Sequence, residues 1–297
     1  MRHLRQYRAI QECYREYHDP VEITCAILGV SRAAYYKWAS GKLSKRTEEN
    51  VKIAEKIEGI HMACPDKGYR RIRDELQHNY SILVNDKRVL RICQIKGIYS
   101  TIKYCNNGCT RRAKNPQYVA ENLLNRNFSA AKPNEKWLTD VTEFKWYDGI
   151  EVHKIYLSAI LDLCDRRIVS YVIGDRNDNP LVFKTFVKAV KANPDAHPLF
   201  HSDRGFQYTN RAFHQKLEKA GMTQSMSRVA KCIDNGPMEG FWGILKRERY
   251  YGRRFTSREE LVHMIRSYIS YYNNRRVQRN LGILTPMEKH QQCLLAA

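Results

Sequence analysis

Nowhere does this 297-residue sequence carry an unbroken apolar run of about 18 residues, so no stretch of it reads as a membrane span. The opening MRHLRQYRAI has no apolar segment behind it, which leaves no secretory signal to recognise. Internal repeats are also absent. Nine cysteines at irregular positions fail to make a disulfide framework, and they fit free thiols in a reducing cytoplasm. His61 with Cys64, and Cys105 with Cys109, each lack the matching second pair that a structural zinc site needs. Acid is scarce: 31 acidic residues against 51 basic ones leave a formal charge of +20, which points to a polyanionic partner whose counterions are released on binding. A hydrophobic share of 43% excludes a disordered chain, and the length suits two or three domains.

What is present divides by texture. Residues 1–45 read as short helices: in ITCAILGVSRAAYYKW an apolar run stops at Gly29-Val30, and Ser31 can cap a second helix through Trp38. Helix, glycine turn and Ser-capped helix is a helix-turn-helix pattern, with Arg32 and Lys37 on the second helix able to reach DNA. Residues 46–98 supply a second helical unit. Its last helix is capped by Asn85 and stopped by Gly97, has a buried stripe of Val89, Leu90, Ile92 and Cys93, and carries Lys87, Arg88 and Arg91 off that stripe. No acidic residue occurs between Asp86 and Glu121, whereas eight basic ones do, Arg111 and Arg112 among them. A run so one-sided favours phosphate contacts. Residues 99–134, weakly periodic and rich in Asn, read as a basic linker.

From Trp137 the pattern turns to strands. In HKIYLSAILDLC, Ile155, Leu157, Ala159, Leu161 and Leu163 alternate onto one face. Three strands joined by short turns, followed by helix, strand, helix and strand, predict an α/β core at 135–297: a mixed five-stranded sheet flanked by helices, with more helices after it. Three acids stand out within it. Asp140 lies mid-strand in WLTDVTEF, where a charge faces solvent or a special site. Asp203 ends the fourth strand, where it could equally be a turn residue or a helix cap. Glu239 falls in the first turn of the helix opened by Pro237, a place where any acid favours the helix dipole. Met238, Trp242 and Leu245 make the stripe that docks this helix, Lys246 returns to the face of Glu239, and Glu248 points away. Gly240 and Gly243 keep side-chain bulk low near Glu239. If the three acids converge, their repulsion calls for divalent cations, and hard oxygen donors select Mg²⁺ or Mn²⁺. Two such ions can act at one phosphorus.

The 35 residues between Asp203 and Glu239, with Lys246 seven positions later, resemble the D,D(35)E,K signature of the DDE transposase and retroviral integrase superfamily. WLTDVTEF, HSDRGFQYTN, DNGPMEGFWGILKRE and YYNNRRVQRNLGILTPMEK resemble the catalytic (OrfB) protein of insertion-sequence-3 family transposases, as do ILGVSRAAYYKW, GYRRIRDEL and NRNFSAAKPNEKW upstream. The likeness spans nearly the whole chain. It implies an RNase H-like catalytic core preceded by an all-α region, with Asp140, Asp203 and Glu239 as catalytic metal ligands for two Mg²⁺ ions. It further implies cleavage at element ends by water and joining of the freed 3′-OH to other DNA. Lys246 is expected at DNA near the reacting phosphate, and His201, Asn235 and Gln207 as supporting or DNA-contacting residues. The likeness also implies binding to terminal inverted repeats and target DNA, a homo-oligomer on paired ends, and fusion or partnership with an upstream-encoded helix-turn-helix protein. Its setting would be the bacterial cytoplasm and nucleoid. Arg204, Phe206 and the missing His-Ser in RVQRNLGILTP depart from the family's usual wording and bear on target preference. Rival readings are a DNA-binding regulator on an inactive core and an RNase H-like nuclease.

Overall fold

The computed structural model describes residues 3–41, 45–102, 117–228 and 232–296. Arg111, Arg112, Cys105 and Cys109 fall outside them. Two compact units, Met1–Gly59 and Ile60–Ala297, make up the chain.

The first unit contains α1 (Leu4–Tyr17), α2 (Val21–Ile27) and α3 (Arg32–Ala39), and α4 (Lys45–Ala63) runs on from it into the second. Tyr7, Ile10, Cys25 and Tyr35 form its small core, with Tyr7 stacked on Trp38. The expected turn is present. Gly29 takes φ +65°, a region that disfavours side chains, and Ser31 Oγ accepts from Ala34 N–H at 3.1 Å to open α3.

The second unit begins with α5 (Tyr69–Tyr80) and α6 (Asp86–Ile95). Asn85 caps α6 by accepting from Arg88 N–H at 2.7 Å; Val89, Ile92 and Cys93 are buried, while Leu90 is half-buried. The sheet follows: β1 (Lys136–Asp148), β2 (Glu151–Asp162), β3 (Ile168–Gly174), then α7 (Asn179–Ala192), β4 (Leu199–Ser202), α8 (Arg211–Lys219) and β5 (Thr223–Met226). After it come α9 (Gly236–Leu245), α10 (Arg258–Asn274) and α11 (Pro286–Leu295). Strand order is β3-β2-β1-β4-β5, with the first three strands antiparallel and β1, β4 and β5 parallel. This is the predicted mixed five-stranded, RNase H-like arrangement. Ile155, Leu157, Ala159, Leu161 and Leu163 pack together with α9 and α10, as period-two alternation requires. On the other face, Ile160, Trp137 and Phe200 meet Val182, Phe186 and Phe213 of α7 and α8.

Residues 60–297 form one compact unit. Arg279, beyond α10, pairs with Asp74 of α5 at 2.7 Å and with Asp86 of α6 at 3.1 Å, and His78 meets Glu288 of α11. The described part of the expected linker, 117–134, is a strap along the sheet edge. Tyr118 N–H donates to Thr209 O, Met226 N–H donates to Glu121 O, and Ser225 Oγ accepts from Leu123 and Leu124 N–H. Leu124 is buried in the core. Irregular backbone can be held this way when side chains and strand ends satisfy its amides.

Candidate active site

Sheet register brings the two aspartates together. β1 pairs with β4 in parallel, Leu138 opposite His201; two residues further along each strand direction stand Asp140 and Asp203. Neighbouring strands lie about 4.8 Å apart, so the two acids leave the sheet side by side. Asp140 shares parity with Leu138, which packs on the α9 side, and Trp242 of α9 donates Nε1–H to its Oδ2 at 3.0 Å. Oδ1 of Asp140 accepts from Val141 N–H, and Oδ1 of Asp203 accepts from Gly205 N–H at 2.9 Å.

α9 is seated by what precedes and lines it. Asn235 Nδ2 donates to Thr139 O, one residue from Asp140. Asp234, fully buried, accepts from Arg228, from Arg126 at 2.7 Å and from Asn122 at 3.1 Å, which fastens the start of α9 to the strap. Met238, Phe241, Trp242 and Leu245 are buried, and Glu239 is left exposed. A side chain at Gly240 would meet nothing, whereas one at Gly243 would press on the Arg247 guanidinium, so that side of α9 is open at Gly240 and covered at Gly243.

The three carboxylates sense one another. Burial, and then the Asp203 charge, push the Asp140 carboxyl up to about 8, with Glu239 adding to the rise. Burial raises Asp203. Partial desolvation and the Asp203 charge raise Glu239, even though its side chain stays open to solvent. Lys246 is half-buried with its ammonium 5.2 Å from the Phe144 ring centre; desolvation lowers its pKa, and Asp140 and Glu143 oppose that.

Three of the residues expected as supporting or DNA-contacting are interior. His201 is fully buried between Ser225 Oγ (2.8 Å) and Ser227 Oγ (3.1 Å), and burial pushes its pKa down to about 4, so it is a neutral core residue. Gln207 is buried and donates to Asn177, and Asn235 is buried against Thr139. All three are buried beside the acids, each hydrogen-bonded within the protein. Lys37, Lys87 and Arg91 are exposed, Arg88 is half-buried, and Arg32 is exposed and paired with Glu22. Trp242 was expected only to pack; its bond to Asp140 has no signature in sequence.

Donor chemistry fits a hard dication. Among the described residues no Lys, Arg or His forms an ion pair with Asp140, Asp203 or Glu239, and the nearby Lys246 charge offsets their repulsion only in part. Among the same residues no three His, Cys, Asp or Glu side chains stand close enough to hold an ion by themselves, so a cation here would draw remaining oxygens from water or DNA.

Comparison with known proteins gives consistent results. Residues 130–232 and 239–294 each match an "Integrase core domain" family, together more than half of the chain, and 48–104 match an "HTH-like domain". The chain is 38% identical over 226 residues to the putative transposase InsK for insertion sequence element IS150 of Escherichia coli, covering 76% of this chain and 77% of that protein. It is 34% identical to an uncharacterized 31 kDa protein of insertion element IS600 from Shigella sonnei, covering 90% and 98%. With the transposase InsF for insertion sequence IS3A of Escherichia coli it shares 26% identity, over 90% of this chain and 92% of that one.

Proposed function

Because this chain belongs to the insertion-sequence-3 family of transposases, in the DDE superfamily, we propose that Asp140, Asp203 and Glu239 form its catalytic centre for DNA cleavage and strand transfer. The carrying observation is the matched register of Asp140 and Asp203 on adjacent parallel strands, with Glu239 on the helix bonded to Asp140 through Trp242. The three acids would hold Mg²⁺, or Mn²⁺ in its place, as two ions. Bound there, such ions supply a more acidic attacking hydroxyl and stabilise charge on the leaving oxygen.

The chain's own groups do the rest. Trp242 Nε1–H and Gly205 N–H fix the Asp140 and Asp203 carboxylates, which spares them reorganisation during the reaction. The Lys246 ammonium, which feels the Asp140 charge, would meet a DNA phosphate near the acids. In cleavage, a water oxygen bonds to phosphorus at the element end and the 3′ oxygen leaves. In transfer, that 3′-OH attacks another phosphodiester and displaces its 3′ oxygen, so the bond count is unchanged. The N-terminal helices, through Arg32, Lys37, Lys87, Arg88 and Arg91, would hold the terminal repeats, with copies of the chain pairing two ends.

The test uses an oligonucleotide carrying an element end and Mg²⁺. Replacing Asp140, Asp203 or Glu239 by Ala lowers strand transfer by at least about 10³-fold while DNA affinity holds within about twofold. Joining of ends by the triple variant would overturn the proposal.

A further inference from the structure

Directly after α9 the helix widens into a π turn, Lys246–Tyr250, closed by Tyr251 N–H donating to Lys246 O at 2.7 Å. Such widenings are rare and cluster where side chains must be re-aimed. Two charged residues of this turn face different surroundings. Lys246 lies toward Asp140 and Phe144. Glu248 is buried, its side chain only 3% exposed.

The Glu248 carboxylate accepts from three places in the unit. Arg71 of α5 donates at 2.9 Å, the Tyr268 hydroxyl of α10 at 3.0 Å, and Arg276, just past α10, at 2.8 Å. Arg71 also donates to Asp66 at 3.0 Å, and Asp66 accepts from Arg249, the residue after Glu248, at 3.2 Å. The chain thus closes a ring through Glu248, Arg71, Asp66 and Arg249. The Arg276 side chain is 11% exposed, so its charge depends on Glu248 for compensation. Arg71 lies within the HTH-like segment, whereas Glu248 follows the helix of Glu239 by a few residues.

We infer that Glu248 is a positioning residue for strand transfer: its junction with Arg71 and Arg276 seats the π turn, and through it Lys246 and Glu239, and ties that seat to α5. The inference rests on the function proposed above for the three acids. A buried acid bonded from so many directions fixes orientation as well as position, because every donor has a preferred angle. Misplacing a reacting group by about 1 Å costs as much as 10²-fold in rate, so the seat of α9 matters to turnover.

The full-length protein is tested with Arg71→Met, which leaves Arg276 and Tyr268 on Glu248, and with Glu248→Gln. On a pre-cleaved end oligonucleotide with Mg²⁺, both variants are expected to lower the rate at saturating DNA by about tenfold, with end affinity within about twofold. Half-maximal Mg²⁺ concentration should rise, which a mere loss of folded protein would not cause. Arg71→Lys, keeping one donor, regains part of the rate. Without metal, amide hydrogen exchange in residues 236–250 should accelerate in both variants while 136–162 stay protected.

Three results would overturn the inference: an unchanged rate at saturation, a loss confined to DNA affinity, or exchange raised evenly across the unit. Should Glu248→Gln fail to fold, Arg71→Met decides alone. Asp140→Asn runs in parallel. If it keeps strand transfer, the functional proposal fails; if it loses strand transfer while the Arg71 and Glu248 variants match the parent, only the positioning role fails.

Discussion

Asp140 and Asp234 both adjoin α9, one through Trp242 and the other just before its start, and their surroundings drive them in opposite directions. Asp234 is fully buried, and the hydrogen bonds of Arg228, followed by those of Arg126, hold its carboxyl far below the usual range. Asp140 is half-buried, faces Asp203 and Glu239 with no cationic partner of its own among the described ion pairs, and is pushed up to about 8 by burial and then by Asp203. One acid is satisfied by the protein and locks the strap to α9. The other accepts one hydrogen bond at each oxygen but has no ion-paired cation, which costs stability and leaves its remaining lone pairs available to a cation. Strain of this kind concentrates where function needs it, and the surrounding fold has to sustain it.

The same substitution at both sites separates these roles. Asp234→Asn should lower stability by about 1–2 kcal/mol, because Arg126 and Arg228, both partly open to solvent, lose the buried anion that held them. Chemical denaturation reads this, and a loss under about 0.5 kcal/mol would mean the strap is not fastened by Asp234. Asp140→Asn should move the other way, raising the metal-free melting temperature at pH 8 by about 2–4 °C even as it removes activity. A fall in melting temperature would show that Asp140 is a structural acid like Asp234.

The pH dependence follows from the same acid. With a folded pKa of about 8, Asp140 keeps a proton that the unfolded chain gives up near the ordinary carboxylate value of about 4. Between those limits the folded state binds more protons, so this contribution to stability is present at low pH and declines as pH rises toward about 8. Melting of the metal-free protein across that window should show the decline, and Asp140→Asn should flatten it. An identical slope in both proteins would assign the repulsion elsewhere.

Much of the sheet was legible because its signal is local. The alternation from Ile155 to Leu163 and the caps at Ser31 and Asn85 need only neighbours within a few residues. The strap was not legible, since its backbone donors and acceptors are satisfied by Thr209, Ser225 and Met226 rather than by a repeating ladder. His201 and Gln207 were expected as supporting or DNA-contacting residues, and their burial against the serines of β5 and its exit, and against Asn177, had no local signal. Glu248 was read as pointing away from Glu239, but a partner 177 positions distant gave that direction a destination.

Taken by itself, the sequence determined the order of helices and strands, the basic character of the chain and the spacing of Asp140, Asp203 and Glu239, because each is written in residues close together or in simple counts. The tertiary structure alone decided which acids are compensated. Charge balance depends on which arginines arrive from distant segments, and that follows from how α5, the strap and α10 pack around α9.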